Sequence, residues 1–169
     1  TAGFNSVDTG SLTSASKLLT CVLMFIGGSP GSTAGGIKTT TIFILVVSLW
    51  SGITDRHKTA VFKRRFEDDA IKKASTVFTL NMFLAIFALF TILAITDLSL
   101  SDVMFEVFSA IGTVGMTTGI TRDLSSAARI IIMVLMFCGR VGSLSFALTF
   151  LQGKKDPPVY YPEEEISVG

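Results

Sequence analysis

Apolar residues collect into four blocks along the chain, at positions 18–26, 39–51, 74–95 and 130–151. The third block holds no charged residue. At about 1.5 Å per residue it covers roughly 33 Å, enough to cross a hydrocarbon core of about 30 Å. It predicts a transmembrane helix. Asn81 is its only strongly polar side chain, a residue that in such a setting usually bonds to a neighbouring helix. The first two blocks are separated by Gly27-Gly28-Ser29-Pro30-Gly31-Ser32-Thr33-Ala34-Gly35-Gly36, which cannot carry continuous helix. This stretch is either an outer turn between two short spans or a break within one. Residues 99–111 form a shorter amphipathic segment. Ser99 and Asp102 have helix-start spacing, and Val103, Phe105, Val107 and Phe108 supply its apolar surface.

One text occurs twice. Thr1-Ala2-Gly3-Phe4-Asn5 is followed by Leu12, Ser14-Ala15, Val22-Leu23-Met24-Phe25 and Gly27; Thr113-Val114-Gly115-Met116-Thr117 is followed by Leu124, Ser126-Ala127, Val134-Leu135-Met136-Phe137 and Gly139. A single offset aligns both copies without a gap. Thr-x-Gly at a fixed distance before an apolar helix, repeated, is the pattern of an ion-selective pore built from tandem loop-plus-helix units. The short helix at 101–111 would aim its partly negative C-terminal end at residues 112–115, which favours a desolvated cation there. An interfacial helix, the alternative, gives no reason for Thr-Val-Gly to follow at once.

Parity then chooses between the two readings of the glycine-rich stretch. Both motifs belong at one membrane face, and one crossing at 74–95 separates the second from the loop at 54–73. The first motif must therefore reach that loop by an odd number of crossings, so residues 12–53 form one broken crossing. Bare backbone at membrane depth needs protein or water around it. The break is thus expected beside an aqueous pathway, the alternative being a hinge packed against other helices. Arg140 lies near the middle of the last span and corresponds to Gly28 under the repeat. An arginine there is expensive unless it faces a wet cavity or backbone carbonyls; it faces such a cavity, ties two helices together, or does both.

Composition agrees with a membrane protein: 49% hydrophobic, 16% charged, mean hydropathy +0.62. Arg56, Lys58, Lys63, Arg64, Arg65, Lys72 and Lys73 crowd the 54–73 loop with Asp55, Glu67, Asp68 and Asp69, which marks that loop as cytoplasmic. Charges sorted in this way, with a net of +1, do not build a nucleic-acid surface. Cys21 and Cys138 do not correspond under the repeat and read as packing residues rather than a disulfide or metal pair. His57 is the single histidine and falls in the loop; the apolar segments hold no carboxylate pair or Ser–His arrangement, which argues against an enzyme. Lys154-Lys155 and Asp156-Pro157-Pro158 stop the last helix ahead of an acidic tail. With no initiator Met and Thr1 already inside the motif, the chain is expected to be the C-terminal part of a longer membrane protein.

The two Thr-x-Gly loops, with Gly28-Ser29-Pro30-Gly31-Ser32-Thr33-Ala34-Gly35-Gly36-Ile37-Lys38 between the first blocks, resemble the Trk/Ktr family of potassium transporters, membrane subunit of the Ktr type. Some relatives are described as subunit J of a sodium-translocating V-type ATPase. The resemblance implies an all-α multi-pass membrane protein, in which tandem helix–pore-loop–helix units form a pseudo-tetrameric, potassium-channel-like pore. Residues 1–53 would be the filter and broken second helix of the third unit, and 54–73 a basic cytoplasmic linker. Residues 74–152 would be the complete fourth unit (helix 74–95, pore helix 101–111, filter 113–117, helix 124–152), with a cytoplasmic tail at 153–169. It further implies that carbonyls near Gly3 and Gly115 hold K⁺ (or Na⁺) as cargo, with no cofactor. Residues 27–36 would gate, faced by Arg140, with Lys38 just inside the gate. Neither loop keeps the second glycine of a Thr-Val-Gly-Tyr-Gly filter, since Asn5 and Thr117 replace it; fewer or weaker carbonyl sites follow. The implied partners are the N-terminal half of the same polypeptide, a second copy in a homodimer, a cytosolic ring of nucleotide-binding regulatory subunits, and membrane lipid. The implied location is a prokaryotic plasma membrane with the filter side outward. The alternative is a non-conducting assembly subunit of a membrane ATPase, which explains the spans but not two matched loops.

Overall fold

The computed structural model describes residues 2–54, 60–61, 64–66 and 68–142. Thr1, most of the basic loop and the expected tail at 153–169 lie outside the described residues, as do positions 143–152 of the last expected helix. Among the described residues five helices follow in order: α1 (Ser14–Phe25), α2 (Thr39–Ile53), α3 (Asp68–Ile95), α4 (Leu100–Ile111) and α5 (Ser126–Val141). Single 3-10 turns at Thr9–Ser11 and Ile120–Arg122 precede α1 and α5. Before α3 a two-residue ladder, β1 (Ala60–Val61) with β2 (Arg64–Arg65), pairs antiparallel.

Local chemistry explains the helix starts. Thr13, Ser99 and Ser125 are N-caps whose hydroxyls accept from the amides of Ser16, Asp102 and Ala128, three residues on in each case. The helix expected from position 124 starts at Ser126 for this reason: Ser125 caps it, and Leu124 turns into the core. α3 starts before its apolar block and runs on to Ile95; its stretch Asp69–Ile95 is long and apolar enough to cross a membrane.

α4 is the hub. It packs against α1, α3 and α5, while α2 packs against α3. Val103, Val107, Ala110 and Ile111 of α4 join Ala85, Ala88 and Ile92 of α3 with Ala128, Ile132 and Leu135 of α5 in the main core. A second cluster, Cys21, Met24, Phe105 and Val114, fastens α1 to the other side of α4. The outward faces stay apolar: Leu19 and Leu23 on α1, Leu49 and Trp50 on α2, Phe83 and Phe90 on α3, and Ile130 and Phe137 on α5 are all exposed. Such faces suit lipid or further protein better than water. Buried Asn81 donates from Nδ2 to the Val77 carbonyl of its own helix.

Candidate functional site

Both loops of the repeat bend through left-handed backbone at the same place, Gly3 at φ 70° and Gly115 at φ 85°. Thr113 also sits at positive φ, 50°, a conformation that costs a residue with a Cβ roughly 1–2 kcal/mol. α4 holds this loop from behind, as the amides of Thr113 and Val114 donate to the carbonyls of Ala110 and Ser109 at 3.0 and 2.9 Å. The helix's negative end therefore runs directly into the Thr-Val-Gly segment. The loops meet at Gly3, where a Cβ would overlap the Val114 carbonyl oxygen. Of the remaining motif residues, Ala2, Phe4 and Asn5 are exposed and Met116 is half-buried. Asn5 Nδ2 donates to the Val7 carbonyl, while the Thr117 carbonyl accepts from Thr9 Oγ1 of the first copy.

The glycine-rich stretch is an excursion closed at its base. The Gly27 amide donates to Ile37 O at 2.7 Å and the Ile37 amide to Phe25 O at 3.3 Å, forming a parallel bridge between Ile26 and Ile37. Thr39 N donates to Gly28 O at 3.2 Å. At the tip, Ser32 N reaches Ser29 O at 3.1 Å across Pro30 and Gly31, with Gly31 at φ 78°. Proline then glycine is what a type II turn requires. Two cations hold the carbonyls that this leaves: Lys38 Nζ donates to Ala34 O at 2.5 Å, and Arg140 donates to Thr33 O. The excursion lies against the second loop, because a Cβ on Gly35 would overlap the Thr113 hydroxyl. Gly36 is similarly close, 3.3 Å from the Gly112 Cα for a Cβ placed there. Ser109, Thr113, Val114, Gly115, Met136 and Arg140 line a cavity of about 380 Å³ beside the loop.

Glu106, Thr121 and Lys17, which the sequence did not single out, complete the site. Glu106 of α4 is buried and accepts from the hydroxyls of Thr117 and Thr121; a carboxylate amid the apolar residues Val103, Phe105, Val107 and Phe108 was the available signal. Lys17 at the start of α1 pairs with Asp102 at the start of α4 at 2.9 Å. The Ser99 hydroxyl, then Lys17, holds the Asp102 carboxyl below its ordinary value at the N-terminal end of α4. Cys21 and Cys138 are both free and buried.

A family model described as a cation transport protein, TrkH, matches residues 1–156. The chain belongs to the TrkH family. That family comprises cation transporters rather than enzymes, and it makes the chain part of a membrane protein. It is 37% identical over 169 residues to Ktr system potassium uptake protein B of Bacillus subtilis, covering 100% of this chain and 38% of that protein. Potassium/sodium uptake protein NtpJ of Enterococcus hirae is 37% identical over 176 residues, covering 100% of this chain and 39% of NtpJ. Ktr system potassium uptake protein D of Bacillus subtilis is 39% identical over 170 residues, covering 99% of this chain and 37% of that protein. The chain thus spans a little over a third of the length of these relatives.

Proposed function

We propose that this chain supplies two adjacent quarters of a potassium-uptake pore. The observation that carries the reading is the meeting of the two Thr-x-Gly loops: Gly3 and Gly115 share the left-handed conformation, and Gly3 packs on the Val114 carbonyl. Carbonyls of residues 1–4 and 113–116 replace part of the hydration shell of K⁺, and the C-terminal end of α4 favours the cation electrostatically. Asn5 and Thr117 stand where a second filter glycine would be, which shortens the row of carbonyl sites and narrows the discrimination against Na⁺. The relatives' names, two of potassium uptake and one of potassium/sodium uptake, support the same cargo.

The excursion at residues 27–36 is the gate. Its contact with Thr113 and its bond to Arg140 support a position on the ion path directly behind the filter. Arg140 raises the barrier for a cation while it holds Thr33, and Lys38 keeps the excursion folded through Ala34. Residues 1–53 form the filter and broken second helix of the third unit, and residues 74–152 the fourth unit. The linker at 54–73 and the tail at 153–169 face the cytoplasm, with the filter mouth outside the cell. The preceding half of the polypeptide completes the ring, a second copy forms the dimer, and a cytosolic nucleotide-binding ring docks on the basic side.

The test is rubidium uptake by the full-length protein, purified without any ATPase and placed in vesicles. Uptake that K⁺ competes away is expected; its absence would favour the non-conducting assembly subunit. Arg140→Ala should raise flux through the resting protein, and unchanged flux in well-expressed variant protein would leave Arg140 a purely structural tie.

A further inference from the structure

Glu106 lies on α4 one turn and a half before the helix ends, and it is 6% exposed. A side chain this polar in so apolar a helix needs partners, and its partners come from one place. Thr117 Oγ1 donates to Glu106 Oε1 at 2.5 Å and Thr121 Oγ1 donates to the same oxygen. The two hydroxyls are 2.8 Å apart, and the Gly119 amide donates to Thr117 Oγ1 at 3.0 Å. On its backbone side Thr117 accepts from Thr9 Oγ1 of the first copy. Thr117 is the position at which the second loop lacks the glycine of a potassium-channel filter, so one residue is gripped from α4, from its own loop and from the neighbouring copy.

From this convergence we propose that Glu106 is a filter-positioning residue that sets cation discrimination. It holds the outer end of the second loop in the one arrangement that turns the Thr117 carbonyl to Thr9 and leaves the carbonyls up to Gly115 for the ion. A loop held this way keeps its spacing when a smaller ion enters; a loop released at Thr117 closes around Na⁺ as well. The function required of Glu106 is that of a hydrogen-bond acceptor for two hydroxyls, which a glutamine oxygen also supplies.

The inference rests on the uptake reading, and rubidium against sodium uptake in vesicles of the full-length protein tests both separately. Wild-type protein that carries neither cation contradicts the uptake reading itself. Given wild-type uptake, Glu106→Ala is expected to lower the rubidium-to-sodium ratio about tenfold, the order that two lost hydrogen bonds allow. Glu106→Gln is expected to restore the ratio to within about twofold, since only acceptor capacity is needed. Thr121→Val, which removes one donor and leaves the Thr117 bond, is expected to lower it by about threefold, and it decides the matter if Glu106→Ala does not assemble. An unchanged ratio in Glu106→Ala or Thr121→Val, or a glutamine variant as impaired as the alanine variant, overturns the proposal.

Discussion

From Ser14 and from Ser126 the two copies of the repeated text run as helices with matching caps, Thr13 and Ser125, and each is preceded by a glycine in left-handed backbone. They part at Ile26 and Cys138. The first chain leaves the helix, makes the excursion and returns at Ile37; the second continues as helix through Gly139 and Arg140 to Val141. Gly27 and Gly139 are equivalent, and neither position has room for a Cβ, but the obstacles differ. In the first copy it is the Gly35 carbonyl of the excursion itself, in the second the Ile111 carbonyl of α4. A single residue type thus serves close approach in two architectures, and the difference lies downstream. Pro30 with its surrounding glycines excludes helix in one copy, whereas the other has a side chain, Arg140, that reaches across to the first copy's Thr33.

Four tests, using six substitutions, would break or sharpen this comparison. The largest effect belongs to Gly3→Ala, which meets both the positive φ and the Val114 carbonyl; cation uptake by the full-length protein should be abolished. Gly115→Ala has open space around its Cβ among the described residues and meets only the backbone strain, roughly 1–2 kcal/mol. If a further unit packs on Gly115 as Val114 does on Gly3, the two variants will be equally damaged in uptake assays; a milder Gly115→Ala would count against a closed ring. Next, Gly139→Ala must push α5 from α4 at Ile111 and should cost about 1–3 kcal/mol, as other overpacking does, read as a lowered midpoint of thermal unfolding in detergent.

The caps come third. Thr13→Ala and Ser125→Ala should each cost about 1 kcal/mol, and similar losses for both would support equivalence of the copies at their helix starts. Smallest is the Lys17–Asp102 pair that ties α1 to α4, part-exposed and worth under about 1 kcal/mol. Because the Asp102 carboxyl is held below its ordinary value of 3.8, its contribution is present above that value and is lost as pH falls through the depressed one. Asp102→Asn should therefore lower stability at neutral pH and make no difference in strong acid, a point that thermal melts across pH can check.

Much of this architecture is legible in the chain because it depends on local rules. Uncharged residues 74–95 need a helix in lipid, Ser and Thr set the helix starts, glycine and proline at 27–36 end a helix, and the register of the repeat aligns Gly3 with Gly115 before any fold is known. Asn81 shows where such reading ran short, since a polar residue in an apolar helix announces a hydrogen bond without naming the acceptor, here including Val77 on the same helix. Glu106 drew no reading from the sequence, and Thr9 and Thr121 were ordinary loop threonines until folding brought them to Thr117 and Glu106.

By itself the sequence determined the helices, the repeated loops and the place where one copy breaks, since each follows from spacing and from what a bare backbone tolerates in an apolar medium. Only the tertiary structure decided which partners meet: Gly35 with Thr113, Arg140 with Thr33, Lys17 with Asp102, and Glu106 with two threonines. Most of those pairs join residues far apart in the chain, so no periodicity records them, and they follow from how α1 and α5 close on the two sides of α4.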